Sequence, residues 1–134
     1  MSSFTSDLIV RVTTKQTNGR TVFIIQKEFQ YSVGSLDAPL EIIRVPVGYE
    51  TDFVSIPWWA RTFINHAHRA KAAVIHDRLL TEIDNGSGRD PKQADRIFRE
   101  ALGVLGAGIL ERNFYYWGVR LYSMMKQAMG KKLS

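Results

Sequence analysis

The 134 residues contain no cysteine, which excludes disulfides and thiolate-ligated zinc or iron–sulfur sites. Long apolar runs are missing as well: nothing reaches the roughly 18 consecutive apolar residues of a spanning helix, so no transmembrane segment is expected. The opening "MSSFTSDLIVRV" lacks a basic stretch followed by a long apolar one and does not read as a signal peptide. There is no internal repeat and no low-complexity segment. Charge is only mildly one-sided, with a formal net charge of +5 and a pI near 9.7. The positive residues are scattered apart from the terminal "KKLS", and no nucleic-acid-binding module is visible, so attraction to anionic partners is weak and general.

What is present is an ordinary globular balance, 45% hydrophobic and 23% charged, in a length that suits a single domain over residues 1–134. Residues 1–50 read as mainly β. "DLIVRVTT" and "RTVFIIQKEFQY" are rich in β-branched and aromatic residues, with Asn18-Gly19 as a hairpin signal between them. "LEIIRVPVGY" supplies a third strand, its far end limited by Pro46. Gly48 suits a positive φ or a close backbone approach.

Residues 55–130 read as mainly α. Pro57 opens a first helix with Trp58, Trp59, Phe63 and Ile64 on its apolar side. A second helix is predicted from about Arg69 to Ile83. Asp90, Pro91 and Gln93 then form a start signal for a third, whose apolar face is Ala94, Ile97, Phe98, Ala101, Leu102 and Leu105. Gly103, Gly106 and Gly108 interrupt it. A last helix is predicted over Glu111–Met129, with Phe114, Trp117, Leu121, Met124, Met125 and Ala128 as a core-facing stripe; the alternative, with Arg112, Arg120 and Lys126 around the stripe, is a partner surface. The expected fold is α+β: a small N-terminal antiparallel β-sheet followed by three or four helices, including an antiparallel helical hairpin.

Chemistry concentrates in "AAVIHDRLL", residues 72–80. His76 and Asp77 lie about 100° apart on their helix and cannot pair with each other as i,i+4 neighbours do. On the following helix Asp95 sits beside the apolar face, where it can accept from a His76 ring nitrogen and select the tautomer that leaves the other nitrogen as a base. Two alternatives stay open: a purely structural His–Asp contact, and an Asp95–Arg99 pair at i,i+4. Asp52, in the connection from strand to helix, can join Asp77 in an oxygen-rich site for a divalent ion. Ser55 reads as a helix cap. His66 and His68 read as junction residues, since "HAH" suits a strand or loop better than one helix face. Trp58 and Trp59 read as core or subunit contact.

"VPVGYETDFVSIP", "AAVIHDRLL" and "KQADRIFREAL" together resemble a small phage and prophage family catalogued as domain of unknown function 1353. The likeness runs from about Val45 to Leu102 and implies a phage context without a reaction. The two helical motifs also resemble the catalytic hairpin of secretory-type phospholipase A. That resemblance implies His76 activating water, Asp77 binding calcium or another divalent cation, and Asp95 orienting the histidine. The glycine-rich calcium loop of that family is absent, and Leu80 stands where its tyrosine would be. Metal phosphohydrolases with an "HD" pair are a more remote comparison.

These resemblances imply either a metal-assisted hydrolase with a phospholipid substrate or a non-enzymatic phage tail, virion-assembly or host-interaction protein. Phage structural proteins or a host factor would be the partners in the second case. The location would be the bacterial host cytoplasm during infection or the phage virion.

Overall fold

The computed structural model describes residues 2–17, 20–34, 39–51 and 66–133. The described residues form strands β1 (Ser3–Phe4), β2 (Val10–Thr17), β3 (Arg20–Ile25), β4 (Phe29–Gly34), β5 (Pro39–Val45) and β6 (Glu50–Thr51). Helices α1 (His66–Asp84), α2 (Pro91–Val104) and α3 (Ile109–Ala128) follow. The fold is α+β, strands first. The chain divides into two compact units, Met1–Asp52 and Phe53–Ser134. Asn18-Gly19, Asp52, Ser55 and the helix predicted from Pro57 with Trp58, Trp59, Phe63 and Ile64 lie outside the described residues.

In the first unit the β part is two antiparallel three-stranded sheets rather than one, ordered β1-β4-β5 and β2-β3-β6. The run "RTVFIIQKEFQY" is two strands because polar Gln26, Lys27 and Glu28 interrupt its apolar pattern, and β4 starts afresh at Phe29. Thr17 lies opposite Arg20, and the register shifts between Val12 and Gln16. There the Thr13 hydroxyl donates to the Val22 carbonyl at 2.7 Å and accepts from the Lys15 N–H at 3.2 Å. β5 stops before Pro46, which has no N–H for a ladder. A turn follows in which the Tyr49 N–H donates to the Pro46 carbonyl and Gly48 has a φ of 89°, the conformation that glycine tolerates at the third turn position. Val22, Ile25, Phe29, Tyr31, Ile43 and Val45 are buried. Phe4 stacks on Phe29 with ring centroids 5.5 Å apart. Each such large apolar side chain contributes roughly 1.5–3 kcal/mol.

In the second unit α2 contacts both α1 and α3. α1 begins three residues before the predicted Arg69, so the "HAH" segment is helical backbone rather than strand or loop. From Ala72 to Asp77 every residue is buried, as expected of a helix segment apolar nearly all round. α2 starts at Pro91 with Asp90 as its cap, the Asp90 carboxylate accepting from the Lys92 N–H at 3.0 Å. Gln93, predicted to complete a capping box, accepts from Arg89 Nη1. Leu105 ends α2 as its cap rather than extending the apolar face. Gly106, at a φ of 93°, then lets the Ala107 N–H reach back to the Leu102 carbonyl at 3.0 Å.

One prediction is overturned. The α3 stripe expected in the core is exposed: Phe114, Trp117, Leu121, Met124 and Met125 are all at least 41% accessible. The buried side of α3 carries Tyr115, Gly118, Val119, Arg120 and Ser123 instead. Packing inside the unit uses the mixed face, and the wholly apolar one faces out.

Candidate functional site

His76 projects from the middle of α1 and Asp95 from the first turns of α2, and both side chains are fully buried. His76 Nε2 lies 2.6 Å from Asp95 Oδ1. The second carboxylate oxygen, Oδ2, accepts from Arg120 Nη1 at 2.8 Å. Asp95 thus joins all three described helices: α1 through His76, its own α2, and α3 through Arg120. Burying a carboxylate is costly unless it is paired and hydrogen-bonded, and here a guanidinium and an imidazole N–H supply the compensation.

The guanidinium keeps the carboxylate an acceptor, so the facing Nε2 is the nitrogen that donates. In the neutral ring Nδ1 then carries the lone pair. Nδ1 is buried and has no hydrogen-bond partner among the described residues. The His76 ring lies against Phe98, centroids 4.8 Å apart and planes 32° inclined. Phe98 follows Asp95 by three positions on the same helix side, so one face of α2 both holds the ring and shields it.

Asp77 is 7% exposed, and its backbone carbonyl accepts from the Thr81 hydroxyl. Among the described residues no group of three or more His, Asp or Glu side chains stands together to hold a metal ion. The described donors alone therefore do not compose a divalent-ion site, and Asp52 is outside them. The alternative Asp95–Arg99 pair is replaced: Arg99 Nε donates to Asn113 Oδ1 at 2.7 Å, and Asp95 is taken by His76 and Arg120.

Arg120 is the member that sequence reasoning missed. In the sequence it stands only as a charge beside the α3 stripe. The available signal was the converse one: an acid predicted on the buried face of the middle helix needs a cation from its other neighbour. A second, part-buried set lies where α1 begins and α3 starts. Arg69 holds Glu111 through Nε at 3.0 Å and Nη2 at 3.2 Å, and its Nη1 donates to the Leu105 carbonyl at 2.8 Å. One turn on, the Tyr115 hydroxyl is buried and its pKa is pushed up to about 12, mainly by burial and then by the Glu111 charge, against the lowering effect of Arg69.

Among the described residues no helix is long and apolar enough to cross a membrane. The molecule is thus an α+β protein whose helices are joined by a buried His–Asp–Arg cluster. The chain belongs to the family described as protein of unknown function DUF1353, which matches residues 23–119. The match includes His76, Asp77 and Asp95 and ends one residue before Arg120. No curated protein and no solved structure matches the chain.

Proposed function

We propose that His76 and Asp95 are the base dyad of a hydrolytic site in a phage-associated protein. The observation carrying this reading is the short Nε2–Oδ1 contact together with an Nδ1 that has no partner among the described residues. A histidine fixed in this way has one nitrogen orienting and the other available to chemistry. Nδ1 would take a proton from water as the water oxygen bonds to an ester carbonyl carbon. The imidazolium so formed, stabilised by Asp95, would return the proton to the departing alcohol oxygen as its bond to carbon breaks. Arg120 would keep the carboxylate oriented. The resemblance to the phospholipase hairpin makes a phospholipid ester the first substrate to try.

The complete burial of His76 and Asp95 favours a second reading, in which the cluster is a clasp in a non-enzymatic tail, virion-assembly or host-interaction protein. The two are separated by one comparison. Wild type and His76→Gln are assayed on phospholipid vesicles and a panel of soluble esters, with urea denaturation alongside. Hydrolysis by wild type, reduced about 100-fold or more in a folded variant, supports the dyad. No hydrolysis by wild type, with a clear stability loss in the variant, supports the clasp. A divalent cation at Asp77 is a separable part of the proposal. Calcium should then raise the melting temperature of wild type and not of Asp77→Asn; no shift in either sinks the metal and leaves the dyad standing.

A further inference from the structure

Leu110, Phe114, Trp117, Leu121 and Met124 on α3 are 85%, 41%, 60%, 58% and 52% exposed. Ala128 continues the row and is exposed as well. The intervals are four, three, four, three and four residues, the alternation of an uninterrupted two-helix seam. Met125, 50% exposed, widens the row on one side. The apolar area on this face is roughly 600–700 Å², above the usual largest patch of a monomer and close to the ~800 Å² per partner of a standard interface. The side of α3 used inside the unit is centred on Val119, with Tyr115 and Ser123 beside it and Arg120 at its edge.

We propose that this face pairs with the same face of a second copy of the chain, α3 against α3, antiparallel about a two-fold axis that crosses the seam between Trp117 and Leu121. In that register Leu110 meets the partner's Ala128, Phe114 the partner's Met124, and Trp117 the partner's Leu121. All six seam positions are matched, each large side chain against a smaller or more pliable one. A parallel pair would stack Trp117 on itself in one layer and Ala128 on itself in another, overfilled and hollow in turn.

The flanks point to a protein partner rather than a lipid surface. An interfacial helix sets cations beside its apolar face. Here Arg120 is bound to Asp95, and Lys126 turns away over the Tyr122 ring and donates to the Leu133 carbonyl. Glu111 is held by Arg69 and Asn113 by Arg99. The seam therefore closes without stranding a charge, and its match is itself.

Sedimentation velocity on the full chain from about 1 µM upwards, the weak end for an interface of this size, tests the pairing. Wild type should sediment as a dimer, and Leu121→Glu as a monomer with unchanged circular dichroism. Should Leu121→Glu lose its helical signal, Leu110→Lys at the exposed start of the helix replaces it, with the same expectation. Because the chain has no cysteine, orientation can be read directly. A mixture of Leu110→Cys and Ala128→Cys chains should form the mixed disulfide on oxidation, and Leu110→Cys alone should not. A monomeric wild type at every concentration overturns the proposal, as does monomeric chain that floats with phosphatidylcholine vesicles. Self-disulfide formation by Leu110→Cys alone overturns the antiparallel seam.

Discussion

Replacing Asp95 by alanine is the most direct test of the three-helix clasp. It strands two groups at once: an Arg120 side chain only 9% exposed and a fully buried His76 Nε2. Breaking a buried ion pair from one side costs about 3–5 kcal/mol, because the surviving charge stays buried without compensation. The orphaned imidazole N–H costs a further 1–3 kcal/mol or so, and a change of tautomer only moves it to Nδ1, which is buried without a partner among the described residues. The expected loss is thus at least about 4 kcal/mol, a large share of the roughly 5–15 kcal/mol of a whole domain. Arg120→Ala should cost less, about 2–3 kcal/mol, since Asp95 keeps its imidazole donor and the arginine reaches the surface at its edge. The double variant should lose less than the sum by about 2 kcal/mol. Urea denaturation followed by circular dichroism measures all four corners of the cycle. A loss under about 1 kcal/mol for Asp95→Ala, or coupling under about 0.5 kcal/mol, would refute the clasp, because either means the helices hold together without it.

The raised Tyr115 hydroxyl predicts an alkaline loss of stability. Its ordinary pKa is 10.0 and its folded one about 12, so between these values the unfolded chain releases the phenolic proton and the native chain retains it. Stability is complete below pH 10 and should fall by about 2–3 kcal/mol by pH 12, a loss that Tyr115→Phe removes; an equal loss in that variant would place the titrating group elsewhere. Gly103→Ala sets helix propensity against packing. A Cβ there would stand 2.6 Å from Arg112 Nη1 and 3.0 Å from its Cδ. The nearest atom is the far end of a flexible side chain that can shift at little cost, so the variant should keep most of the ~1 kcal/mol gained over glycine. In an Arg112→Ala background the gain should be no smaller, and thermal melts of the four chains decide it.

Local chemistry carried the fold a long way. Asp90 and Pro91 mark the start of α2 because a capping carboxylate and a residue without an N–H each suit one position there. The face from Ala94 to Leu102 follows from the helical period alone. His76 and Asp95 could be matched because a short connection makes antiparallel neighbours of their helices. What stayed hidden depended on distant partners. Two sheets instead of one is a question of pairing, on which the alternation within a strand is silent. Arg120 could not be told from a surface arginine, because its role is defined by an acid 25 positions away.

The α3 stripe shows the limit most clearly. Periodicity identified Phe114, Trp117, Leu121, Met124 and Ala128 as one apolar face of the helix, and that part of the inference stands. It does not say which surface does the covering. A core position and an interface position follow the same spacing and use the same residue types, since both are sites of desolvation. Inside the unit α3 turns inward the side centred on Val119, with Arg120 at its edge reaching Asp95, and leaves the apolar row outside. Any partner for that row has to come from beyond the α2–α3 contact.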